Sequence, residues 1–190
     1  MSTSPVCFIL KRPIAPWGDY GNILLHGMSA HLGRENGKIQ LERTGPFIPP
    51  ISFPGIGDLV ITDKLRQRLE TSGLSGLKFQ PVIKRLIVWC PWDEWDQSAS
   101  EPAEYPESGE PEDYILGQEH SDEASAWIGQ LWELVPEVVA TTDRSNGIRN
   151  VRSSIDDSDF FRVGYNYVSE RARQWLVKEV SKWVRFETPS

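Results

Sequence analysis

The groups in this 190-residue chain that could do chemistry are three histidines, two cysteines and 27 carboxylates. His26 and His31, beside Gly27 and Gly33, could hold a metal ion with Glu35 as a third ligand by residue type alone. Histidines satisfied in a core or exposed at a surface are the commoner outcome for such a pair, so no metal is expected. Cys7 and Cys90 are too few for a disulfide framework or a four-ligand zinc site; each lies in an apolar run and reads as a buried thiol. The carboxylates concentrate around 91–96, Pro-Trp-Asp-Glu-Trp-Asp, where Asp93, Glu94 and Asp96 flank Trp92 and Trp95. Two carboxylates can cleave a glycoside when one sits in an apolar pocket and the other in a polar one. This segment is acidic throughout and lacks that contrast. Its spacing does not fit the EF-hand calcium loop. The chain also has no glycine-rich dinucleotide loop, phosphate loop, His-Glu-x-x-His or Gly-x-Ser-x-Gly. No catalytic residue and no cofactor are expected, which leaves binding as the leading class of function.

Charge sharpens that reading. Between Arg85 and Arg144 there is no Lys or Arg, and these 58 residues carry 15 Asp and Glu, so the block is −15 while the remainder is +8. Such a block repels polyanions and attracts basic surfaces, which disfavours nucleic acid as a ligand and favours a cationic protein. Within it, tryptophan beside carboxylate is a hot-spot pairing: the indole supplies contact area and the acids steer association with Arg or Lys. The candidate contact residues are Trp92, Asp93, Glu94, Trp95, Asp96, Glu104, Tyr105, Glu107, Glu112, Asp113 and Tyr114. Residues 97–111, rich in Ser, Glu and Pro, read as a flexible acidic loop.

The elements that must position these groups can be read coarsely. Strands are expected at 6–10, 22–26, 38–43, 58–61 and 77–79, with 11–20 a loop and the proline-rich 45–57 a connection. Thr62 caps a helix whose Leu65 and Leu69 share one face. Residues 82–90 are the most hydrophobic stretch and the natural central strand. Ser121 caps a second helix expected to dock through its tryptophans. Residues 137–142 and 148–153 resemble a hairpin about Asn146-Gly147. A strand at 160–163, a turn at Gly164, a strand at 165–168, a helix at 170–180 and a strand at 183–187 close the chain. No window approaches the roughly 20 apolar residues of a membrane span, and the N-terminus is not a basic secretory leader; a soluble, cytoplasmic, single-domain protein is expected.

Residues 61–79 and 168–186 align without a gap at an offset of 107, with four identities and six conservative pairs in 19 positions. The expected fold is therefore α+β: a mixed, mainly antiparallel sheet with about three helices, built from two strand-helix-strand halves, about 58–82 and 159–187. The phrase Asp159-Phe160-Phe161-Arg162, the run from Val168 through Leu176, and Trp183-Val184-Arg185-Phe186 resemble the C-terminal signature of bacterial immunity proteins from polymorphic-toxin loci. Gly57-Asp58-Leu59-Val60, Leu65 and the Leu74 to Val82 phrase resemble the same group. Some relatives carry a double Cys-x-x-Cys-Gly motif; this chain lacks it, so no metal role is carried over. The resemblance implies inhibition of a cognate toxin, and the acidic aromatic segment suggests occlusion of a basic active-site cleft. A small acidic adaptor module and a carboxylate-dependent hydrolase are the alternatives.

Overall fold

The computed structural model describes residues 7–29, 31–138 and 158–189. The chain is α+β, with a large sheet in the order β11-β1-β10-β9-β8-β5-β4, onto which β6 pairs through β8, and a small sheet in the order β2-β3-β7. The strands are β1 (Cys7–Lys11), β2 (Arg34–Glu35), β3 (Lys38–Pro46), β4 (Ile51–Ser52), β5 (Val60–Thr62), β6 (Leu77–Pro81), β7 (Ile83–Cys90), β8 (Leu131–Val138), β9 (Phe160–Val163), β10 (Tyr165–Ser169) and β11 (Arg185–Glu187). Helices α1 (Asp19–His26), α2 (Asp63–Glu70), α3 (Asp113–Leu116), α4 (Asp122–Ile128) and α5 (Glu170–Val180) complete the described residues, and none is long and apolar enough to cross a membrane. Strand pairs are antiparallel except β3 with β7 and β8 with β9.

The sequence echo has a structural counterpart with the same register. In one unit Glu133 of β8 pairs with Val60 of β5 on one side and Gln80 of β6 on the other. In the other, Ile9 of β1 pairs with Tyr167 of β10 and Glu187 of β11, each 107 residues further on. The helix between the outer strands packs on the same face in both units. Thr62 Oγ1 accepts from the Leu65 amide and Ser169 Oγ from the Ala172 amide, each satisfying a donor the helix leaves free. Leu65 and Leu69 of α2 and Ala172 and Leu176 of α5 then meet in one core cluster with Leu10 and Leu134. Burial of each leucine contributes about 1.5–3 kcal/mol.

Four expectations are corrected. Residues 22–26 belong to helix α1, because a short apolar run such as Ile-Leu-Leu does not distinguish helix from strand by periodicity. Strand β7 is an edge strand of the small sheet; it is apolar because both its faces are covered, Ile87 against Ala124 and Ile128, and Val88 against Met28 and Ile115. The edge itself is capped by chain: Ile87 N donates to His120 Nδ1 at 3.1 Å and Ser121 N donates to Ile87 O at 2.7 Å. Helix α4 docks through Ala124 and Ile128, leaving Trp127 73% exposed, and Leu131 and Trp132 belong to β8. The connection at 45–57 contains the end of β3 and the short β4. The hairpin expected about Asn146-Gly147 lies outside the described residues, apart from Glu137 and Val138 at the end of β8.

Candidate functional site

The acidic segment leaves the small sheet at Cys90 and turns at once into a 3₁₀ helix, Trp92–Glu94. Trp92 is buried and meets Trp17 edge to face, with ring centres 5.0 Å apart. Trp95 packs 5.7 Å from Trp17 and 5.7 Å from Tyr114. Tyr20 of α1 stands 5.0 Å from Tyr105 and 6.1 Å from Tyr114. These rings, with Ala15, Leu24, Leu25 and Cys90, form a core cluster under the segment. Edge-to-face pairs of this kind add about 0.5–1.5 kcal/mol each beyond the area they bury.

Residues 97–111 carry no helix or strand and are joined to the body by hydrogen bonds. Trp17 Nε1 donates to Ala99 O at 3.1 Å, and the Tyr20 hydroxyl donates to Gly109 O at 2.5 Å. The Tyr114 hydroxyl donates to Glu104 O. The aromatic residues thus face inward while the acids face out. Asp93, Glu94, Asp96, Glu104 and Glu107 are exposed, Glu112 and Asp113 half-buried. Of the expected contact residues, Trp92 and Tyr114 are buried and present no ring to a partner, Trp95 is half-buried, and Tyr105 is 48% exposed. The reason is physical: an indole exposed on a short turn gains more by joining Trp17 than by remaining in water.

Local bonds shape the carboxylates. Asp96 Oδ1 accepts from the Ser98 hydroxyl at 2.6 Å and the Ser98 amide at 3.0 Å, which holds its carboxyl below the usual range. Asp113 Oδ2 accepts from Ser108 Oγ at 2.5 Å, and Glu101 Oε2 from the Tyr105 hydroxyl at 3.2 Å. Among the described residues, none of the twelve Asp and Glu between 93 and 123 pairs with a Lys or Arg. Cys90 beneath them is pushed up to about 11, by burial first and then by Glu104 and Asp93, so its thiol stays protonated at neutral pH. The surface is an anionic face on an aromatic base.

The histidines are apart. His26 is buried, His31 Nε2 lies 3.0 Å from Glu42 Oε2, and His120 serves β7. Among the described residues no group of three or more His, Cys, Asp or Glu could hold a metal ion.

Sequence reasoning missed several residues that position this face. Trp17 and Tyr20 fall in the stretch read as a loop; the signal for them in the sequence is two aromatics beside Gly18. Away from this face, Arg34 of β2 was also missed. It donates to both oxygens of the buried Glu133 at 2.8 Å and to Asp58 at 3.0 Å, which ties the small sheet to the large one. Comparison with protein-family models, curated proteins and solved structures finds no match to this chain.

Proposed function

We propose that this chain is an immunity protein, a stoichiometric inhibitor that binds a toxin through its acidic face and covers a basic active-site cleft. The observation that carries the reading is the run of mostly exposed acids between 93 and 123 without a Lys or Arg partner among the described residues. Exposed carboxylates left unneutralised along one continuous segment repel each other and are relieved by a cationic surface. The aromatic cluster beneath supports the reading because it fixes the face before binding, which lowers the ordering cost of association. The resemblance of the two repeated segments to immunity proteins supplies the kind of partner.

The test is a pull-down from native lysate at low and high salt, followed by growth assays. The expected result is capture of one basic protein near one-to-one, released by salt, whose expression arrests growth and whose toxicity this chain reverses. Capture of a non-toxic protein, or reversal that survives charge reversal of the acidic face, would overturn the reading.

A further inference from the structure

A cleft distinct from the acidic segment is lined by residues of α1 and its neighbours. It measures about 430 Å³ and opens between β1, α1, the 53–58 loop and the β9-β10 turn. This is within the size range of small-molecule sites. Its walls are mostly apolar, with Leu10, Ile23, Phe53, Pro54 and Ile56, and its polar groups include Arg12 and Asn22.

The charge around it is unbalanced. Arg12 is exposed and pairs with no acid among the described residues. Arg43, behind α1, is 0% exposed, and among the described residues its donors go only to neutral oxygens: Thr44 O at 2.9 Å, Ser52 Oγ at 3.2 Å, and Leu25 O and Phe47 O at 3.3 Å. A buried guanidinium without a carboxylate leaves net positive potential in the surrounding structure. Asp58, on the wall, already accepts from Arg34 at 3.0 Å and Ser29 at 2.7 Å. Lys11 is committed to Glu187 at 2.8 Å.

Two groups beside the cleft have unmet hydrogen-bonding capacity. Asn22 Oδ1 and both ring nitrogens of His26 are buried without a hydrogen-bond partner among the described residues. His26 follows Asn22 by one helical turn on the same face, and its ring meets Phe53, a cleft wall, at 5.7 Å. An unpartnered buried polar atom costs about 1–3 kcal/mol, so such atoms beside a cleft mark where a ligand or its water would bond. Burial first, and then the charges of Arg43 and Arg12, lower the pKa of His26 to about 3.

We propose that this cleft binds a small organic anion, a carboxylate or phosphate monoester on an apolar body, with Arg12 holding the anionic group and Phe53, Ile23 and Ile56 covering the body. The site is separate from the acidic face and does not depend on the toxin reading. Calorimetric titration with phenyl phosphate, benzoate, inorganic phosphate and benzyl alcohol tests it, with the imidazole resonances of the three histidines followed by NMR. At least one aromatic anion should bind saturably at one site, benzyl alcohol should not, and the His26 signals should shift while those of His31 and His120 stay fixed. Arg12→Ala removes a charge-assisted bond and should weaken that anion roughly tenfold or more. Ile56→Asp, a change at a fully exposed side chain, should weaken it likewise. Phenyl phosphate without benzoate binding would assign a phosphate monoester, and the converse a carboxylate. Absence of saturable binding by either aromatic anion, unchanged affinity in Arg12→Ala, or static His26 signals would overturn the proposal.

Discussion

The guanidinium carbon of Arg66 lies 4.5 Å from the centre of the Trp132 indole, and that indole donates through Nε1 to Asp63 at 2.8 Å. The equivalent Arg173 lies 4.7 Å from Phe8, the residue that occupies the Trp132 position in the second unit. Asp63 and Glu170 hold these arginines at 2.9 and 3.1 Å, and Gln67 and Gln174 donate to the same acids at 2.6 and 3.0 Å. Thus a helix's first-turn acid, an arginine and an aromatic on the middle strand recur as one arrangement. Its role is to seat each helix at a fixed height over its three strands.

Because both helices feed one core cluster, Leu69→Ala and Leu176→Ala should each destabilise by about 2–5 kcal/mol. Urea unfolding of either variant, followed by fluorescence and by far-ultraviolet circular dichroism, should give coincident single transitions. Separate transitions would mean that the two units unfold independently.

Gly76 precedes β6 with φ at +78°, and a Cβ there would stand 2.2 Å from Phe160 O. Gly76→Ala should cost at least about 2 kcal/mol, since neither the backbone nor the neighbouring carbonyl can yield cheaply. Gly37, whose φ is +80° with open space around it, is the control: the alanine variant there should cost less. Equal midpoints for the two variants would contradict this account.

The two tryptophans should separate in mutagenesis. Trp92→Ala removes a buried ring from the aromatic cluster and should cost about 3–5 kcal/mol, whereas Trp127→Ala, at an exposed position, should change stability by less than about 0.5 kcal/mol. Thermal denaturation of both variants checks the contrast.

Acid sensitivity should carry the mark of His26. Its folded pKa of about 3 lies below the ordinary 6.5, so the unfolded chain takes up a proton that the folded chain refuses. Stability from this group is complete above pH 6.5 and is lost as pH falls toward 3, at up to about 1.4 kcal/mol per pH unit. Asp159 acts lower: burial opposes its ionisation, but Arg171, Ser169 and the Ser75 amide outweigh that and depress its pKa below 3.8. Its contribution is present above 3.8 and is lost as pH falls through the depressed value. In His26→Phe the slope between pH 6.5 and 4 should shrink by about one proton's worth. An unchanged slope would mean that His26 is not the group responsible.

Lysine at 93, 94 and 96 should cost little stability, about 1 kcal/mol and only through the Ser98 bonds of Asp96, since these acids are exposed and form no ion pair with Lys or Arg among the described residues. On the proposed function it should slow association with the toxin by about tenfold or more at low salt, with a smaller difference at high salt. Stopped-flow binding at two ionic strengths reads both. A rate that does not change with either charge or salt would place the contact elsewhere on the chain.

By itself the sequence determined what is local or additive: the caps at Thr62, Ser121 and Ser169, the spacing of Leu65 with Leu69, the repeat at an offset of 107, and the unbroken acidity from 86 to 143. Each is set by neighbours within a turn of helix or by a sum over charges, so no fold is needed to see it. Tertiary structure alone decided which faces are covered and which groups meet. The hydrophobicity of 83–90 reported two covered faces and could not say that the strand lies at an edge. Trp92 and Trp127 are the same residue type in similarly acidic surroundings, yet one is buried by Trp17, 75 positions away, and the other meets water. Arg12, Asn22, His26, Arg43 and Phe53 gather around one cleft because α1 packs on β3 and shares an opening with β1 and the turn after β4, segments that carry no local signal for each other.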